Sequence, residues 1–216
     1  MKQEMKKENI ETLFETKFIK VYDLKPNGKH YFNATRREKD DLVAIKSDEE
    51  FKTMLPDAVS LVVVVNTKDD EPRLLLSKEF RYPAGQFLLS VPAGLIDSED
   101  KEMEDALFVT AKRELLEETG IEFSDNDEIG IINPFLFSTP GMTDESNALI
   151  NIVLNRDTMP KISQDGAVGT ECFDGVCILT KDEAKKYLKD GVDDKGLFYS
   201  VYTWAALMYF VTDMWK

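Results

Sequence analysis

Histidine is almost absent from this chain: His30 is the only one in 216 residues. It sits beside Gly28 in a turn-like stretch, where a solvent-exposed side chain without a catalytic role is expected. The scarcity argues against nucleophilic chemistry driven by a histidine base. Cysteine is nearly as rare. Cys172 and Cys177 form one Cys-x4-Cys pair with no second pair, which excludes a zinc ligand set and leaves two free thiols. Basic residues are in deficit, 27 Lys and Arg against 41 Asp and Glu, for a net charge of −14. Such a chain does not grip a nucleic-acid backbone, so no nucleic-acid partner is expected. The deficit does not exclude a small phosphorylated ligand held through a metal. Long apolar runs are missing too. The longest, such as "VSLVVVV", fall far short of a membrane span. The start, "MKQEMKKENIET", has no apolar core of a secretory signal. A cytoplasmic protein with no membrane partner is the expectation.

What the chain does contain is enough apolar material for a core: 43% of residues are hydrophobic, so composition does not predict disorder. Residues 1–12 read as a polar, frayed start. "ETKFIKVYDLKPNGKHYFNATRRE" reads as two strands around a turn at Asn27-Gly28, a pair that tolerates positive φ. "DDLVAIKSDEEF" is expected to add a short strand, completing a small antiparallel region over 13–55. Beyond Pro56, "AVSLVVVVNT" and "PRLLLSKEFRYP" read as a β-hairpin joined by the acidic "KDDEP", and "QFLLSVPAG" as a further strand. From Met103 the pattern turns helical, with Leu107, Ala111 and Leu115 on one face and Gly120 as the stop. "EIGIINPFLFSTPG", "ALINIVLNR" and "ECFDGVCIL" read as strands. "KDEAKKYLKDG" and "KGLFYSVYTWAALMYFVTDMWK" read as helices, the last with a Phe/Leu/Trp stripe in the core. The order predicts an α+β or α/β protein with a mixed sheet between helices.

The stretch "AKRELLEETG", 111–120, raises a specific chemical question. Glu114, Glu117 and Glu118 fall at i, i+3 and i+4 and share a helix face. Arg113 can pair with Glu117. Three carboxylates in one turn repel one another, and the C-terminal end of a helix disfavours anions. A solvated acidic face tolerates this; so does a bound hard cation such as Mg²⁺ or Mn²⁺, which takes oxygen ligands.

Upstream, "VPAGLID" places a glycine-containing turn before the helix. Together with "RELLEETGI" it resembles the Nudix box, Gly-x5-Glu-x7-Arg-Glu-aliphatic-x-Glu-Glu-x-Gly-aliphatic. Arg113, Glu114, Leu115, Glu117, Glu118, Gly120 and Ile121 fill the second half of that pattern. The chain therefore resembles the Nudix hydrolases over roughly residues 57–214. The likeness implies an α+β Nudix fold over 56–216, a mixed sheet sandwiched between helices, with a small N-terminal antiparallel β region over 1–55 as a dimerisation element. Two departures stand out. Eighteen residues rather than thirteen separate Gly94 from Arg113, a five-residue insertion. Counting back from Arg113, the first Glu of the pattern falls on Asp105.

The chain is similar in particular to the ADP-ribose pyrophosphatase branch. The likeness rests on the N-terminal β region, on "KEFRYPAGQFLLSVPAGLID" and on the "STPGMTDE" turn after the box. It implies metal-dependent hydrolysis of the diphosphate in ADP-ribose or a related nucleoside diphosphate sugar, giving AMP and a sugar phosphate. It implies that Glu114, Glu118 and the Ala93 carbonyl ligate Mg²⁺ or Mn²⁺. Glu117 acts as a ligand or as a partner to the ligands, and Arg113 orients the carboxylates. Phe18 and Phe32 match positions that sandwich adenine. Arg37 and Arg81 match positions that hold the base or the diphosphate, and Met142 lies in the matching turn. The likeness also implies a homodimer with the nucleoside pocket shared between chains. Many relatives carry Glu where Ser90 stands. The catalytic base falls on an acidic loop, "DGAVGTECFDG", with Glu171 as the candidate and Asp165 and Asp174 as rivals. A second reading is an ADP-ribose-binding Nudix sensor domain without catalysis. Such sensors usually carry a DNA-binding domain, for which an acidic chain of this length leaves no room.

Overall fold

The computed structural model describes residues 5–166 and 171–216. They form two units, Met1–Asp57 with Phe135–Asn147, and Ala58–Pro134 with Ala148–Lys216.

In the first unit, β1 (Ile10–Glu15), β2 (Lys20–Leu24) and β3 (Tyr31–Thr35) pair antiparallel in that order. The β2–β3 turn bends at Asn27 (φ 52°) and Gly28 (φ 75°), the left-handed region that an Asn-Gly pair enters at low cost. Ile10, Tyr22, Leu24 and Leu42 make the unit's core. The start is therefore less frayed than composition predicts, because Ile10 is buried in β1. The strand expected over 40–51 is not formed. Two short 3-10 turns lead instead into α1 (Asp48–Thr53). The cause is local: the Ser47 hydroxyl accepts from the Glu50 amide (3.2 Å), and the Glu50 carboxylate accepts from the Ser47 amide (2.8 Å). This reciprocal cap satisfies free helix-start donors and favours a helix over a strand.

The second unit is built on β4 (Ala58–Thr67), β5 (Arg73–Arg81), β6 (Gln86–Ser90), β7 (Ala93–Leu95), β8 (Glu128–Phe137), β9 (Ser146–Arg156) and β10 (Phe173–Leu179). The chain passes between the units within β8 and β9. The mixed sheet has the order β10-β5-β4-β9-β8, with β6 on β5 and β7 on β4. β4 is buried along both faces, as a central strand between helical layers must be. Val59, Leu61, Val63 and Val65 pack with Leu75 against Ala111 and Leu115 of α2 (Ala106–Thr119). On the other face, α4 (Val201–Val211) follows α3 (Lys181–Asp190), and the Thr203 hydroxyl donates to the Leu89 carbonyl (2.9 Å).

The last helix is shorter than expected. It begins after Ser200, whose hydroxyl accepts from the Thr203 amide, and ends at Val211. Helical spacing puts Thr203, Ala206, Leu207 and Phe210 inward, which turns Trp204 outward at 49% exposure. The aromatic stripe is therefore only partly core. Among the described residues no helix is long and apolar enough to cross a membrane.

Candidate active site

Three pieces of the second unit meet at the carboxylates of α2: the β7 turn, the helix itself and the end of β5. Gly120 ends α2 in the left-handed conformation (φ 68°), and its amide donates to the Leu116 carbonyl (2.8 Å). The last turn, with its three Glu, is thereby held in register. β7 pairs with β4 through Ser60↔Ala93 and Val59↔Gly94, which fixes the Pro92-Ala93-Gly94 backbone against the helix. The Ala93 amide donates to Glu118 Oε1 (3.2 Å). A Cβ at Gly94 would overlap the Glu114 carboxylate, so only glycine allows that approach.

Glu114 and Glu118 are buried, while Glu117 lies at the edge. Burial pushes the Glu118 carboxyl up to about 9; the Ala93 amide opposes the rise, and Glu79, Glu114 and Glu171 add to it. Burial pushes Glu114 up to about 7 against the pull of Arg113. Glu79 on β5 is raised as well, chiefly by burial, with Arg81 opposing. Arg113 is the organising cation. Its guanidinium reaches Glu114 (2.7 Å), Glu117 (3.0 Å) and the Leu95 carbonyl (3.0 Å). It also reaches Asp100 (3.4 Å) and Asp97 (3.5 Å).

Asp100 is a residue that the sequence reading missed. It is buried and accepts from the Thr110 hydroxyl (3.0 Å) and from Arg113. Asp105 is exposed at the start of α2 and makes no capping bond. Asp100, not Asp105, is the carboxylate that meets Arg113. Counted forward from Gly94 it is the sixth residue, so the inserted residues follow it. Counting back from Arg113 led across the insertion, and forward spacing was the signal that could have found it.

The acidic loop is anchored at both ends. Gly166 lies against the Glu117 backbone, and the Cys172 carbonyl accepts from the Phe80 amide (2.8 Å). Residues 167–170 lie outside the described ones. Glu171 contributes to the rise of Glu79, Glu114 and Glu118. Asp165 turns instead to the Ser163 hydroxyl (2.5 Å), and Asp174 is exposed on β10. Arg81 pairs with Glu79 (2.6 Å).

The remaining expected residues belong to the first unit. Phe18 (71% exposed) lies in the β1–β2 turn, and Phe32 (55% exposed) pairs opposite Asp23. Phe32 lies three rungs from the Lys20↔Thr35 end, so its backbone stands roughly 10 Å along the strand from that end. The Ala34 amide donates to the carbonyl of Met142, whose side chain is exposed. Arg37 is committed to Asp57 (2.8 Å) and the Ser146 hydroxyl (3.2 Å), while its Nε faces Asp144 at 4.0 Å. His30 is exposed and bonds Asp23 (2.6 Å).

Among the described residues, no three His, Cys, Asp or Glu side chains stand in a ready metal-holding geometry. Arg113 occupies one side of Glu114. The donor chemistry nevertheless fits a hard divalent cation. Buried carboxylates are gathered at the cost of raised proton affinity, and the Gly94 backbone is shaped to admit one of them.

The NUDIX domain model matches residues 54–198. A Schizosaccharomyces pombe protein described as an uncharacterized Nudix hydrolase is 38% identical over 105 residues, 49% of this chain and 45% of that protein. The ADP-ribose pyrophosphatase of Saccharomyces cerevisiae is 32% identical over 140 residues, 62% of this chain and 57% of its own. The ADP-sugar pyrophosphatase of Mus musculus is 31% identical over 127 residues, 59% of this chain and 54% of its own. The matches span about half the length of these curated relatives. The family model, however, covers well over half of this chain, along the strands and helix that build the site. The chain belongs to the NUDIX family.

Proposed function

We propose that the protein hydrolyses the diphosphate bond of ADP-ribose or a related nucleoside diphosphate sugar, giving AMP and a sugar phosphate. The observation that carries this reading is the pair of buried carboxylates, Glu114 and Glu118, drawn together at the Ala93-Gly94 turn. The names of the yeast and mouse relatives support the substrate class.

Glu114, Glu118 and the Ala93 carbonyl would hold Mg²⁺ or Mn²⁺, with Glu117 as a ligand or a partner to the ligands. Such an ion neutralises diphosphate charge and acidifies water. Arg113 keeps Glu114 and Glu117 oriented and is itself held by Asp100 and the Leu95 carbonyl. Supporting partners of this kind fix the direction of ligand oxygens. Glu171 takes the proton of the attacking water at its carboxylate. Arg81 offers its exposed guanidinium edge to the diphosphate. Phe18, Phe32, Arg37 and Met142 recognise the nucleoside; the exposed Phe18 and Phe32 rings and the exposed Met142 side chain leave apolar surface for it.

The test is a screen of nucleoside diphosphate sugars with Mg²⁺ and with Mn²⁺, in which an added phosphomonoesterase releases phosphate from the AMP and sugar phosphate products, repeated on Glu118→Gln. ADP-sugar turnover that falls on the order of 10²-fold or more in the variant supports the reading. Tight binding of ADP-ribose with no hydrolysis would move the protein to a sensing role.

A further inference from the structure

Glu79 is a buried acid that the box does not account for. Leu75 packs in the core beneath α2, so the two-residue period of β5 turns Ser77 and Glu79 to that same face. The antiparallel β5–β6 ladder sets Ser77 opposite Ser90 and Glu79 opposite Leu88. Ser90 therefore shares the face, and its hydroxyl bonds the Glu79 carboxylate. Glu79 is about nine-tenths buried, and its charge reaches Glu118. Arg81 offsets that charge only in part, since its own side chain is 46% exposed. Ser77 is fully buried with no partner for its hydroxyl, a second polar group on this face. Burying a carboxylate beside another is costly when the cation paired with it lies partly in solvent.

We propose that Glu79 is a further residue of the cation site, adding a carboxylate from β5 on the Glu118 side, either as a ligand or through a coordinated water. Ser90 orients it and carries no charge of its own. The proposal rests on the cation site of the preceding section and names one more of its members.

Mn²⁺ binding to the intact chain without substrate, followed by calorimetry or paramagnetic resonance, tests it. Glu79→Gln keeps the side chain's size and should weaken Mn²⁺ binding roughly 10- to 100-fold. The double variant Glu79→Gln with Ser90→Glu should recover most of that affinity, because position 90 reaches the same space. Unchanged affinity in Glu79→Gln, with binding abolished in Glu118→Gln, overturns the proposal and leaves the cation site standing. A loss that Ser90→Glu does not restore also overturns it, marking Glu79 as a support of the fold. Unchanged binding in both Glu79→Gln and Glu118→Gln overturns the cation site itself.

Discussion

Glu118 and Glu114 carry opposite demands, burial in the fold and charge at the site. In the folded chain their carboxyls hold protons up to about pH 9 and about pH 7, whereas unfolded glutamates release them near 4.5. The folded state then binds more protons than the unfolded state across that window, so stability falls as pH rises through it. The metal-free protein is expected to melt at progressively lower temperature from pH 5 to pH 9. Glu118→Gln should flatten that slope, and a slope unchanged in the variant would place its origin elsewhere. Cation binding requires ionised carboxylates, so Mn²⁺ affinity should tighten as pH rises over the same range. Gly94 is the second critical residue. Gly94→Ala places a methyl in the space of the Glu114 carboxylate. Misplacement of a site group by about 1 Å costs on the order of 10²-fold in rate. Turnover at saturating substrate should show that loss in a chain whose circular dichroism is unchanged.

At the scale of the element, α2 works because its end is defined. Gly120 takes a left-handed conformation, and a Cβ there would also press on Ser163 at 3.2 Å. Gly120→Ala should cost about 1–2 kcal/mol, the penalty of that conformation for a residue with a Cβ. Urea unfolding would register it as a lower midpoint with unchanged slope. A substitution without effect would mean that the helix end re-forms in another way. β5 is the other decisive element. One face of it runs from core (Leu75) to polar (Ser77, Glu79, Arg81), so a single strand joins the hydrophobic interior to the site.

For the whole molecule, the exposed apolar residues of the first unit point to assembly. Leu13, Phe14, Phe18, Ile19, Tyr31 and Phe32 all remain open on a three-stranded sheet. A small sheet with bare edges and apolar side chains is marginal in water, and a twofold pair of chains covers both. Light scattering in dilute solution is expected to give roughly twice 24.6 kDa. Phe14→Lys should shift the protein toward the single-chain mass. A monomeric wild-type chain with full turnover would remove the homodimer from the account.

Features set by neighbouring residues were legible in the sequence. The Asn27-Gly28 turn, the Gly120 stop, the largely apolar β4 and the Arg113–Ile121 half of the box depend on local backbone preference and short spacing. Local rules failed where two signals competed. The Ser47–Glu50 cap outweighed the β-like "LVAI", and helical spacing put Trp204 on the outer face of an otherwise apolar helix. The rest was decided by tertiary structure, because it depends on which distant backbones lie side by side. The pairing of β5 with β6 brings Ser90 to Glu79, and the packing of β7 on β4 brings Gly94 to Glu114. The fold around α2 selects Asp100 over Asp105 as the partner of Arg113. Sequence alone determined that a row of carboxylates would line one helix turn. Only the folded chain decided which of them are buried, and burial is what gives a carboxylate its altered proton affinity.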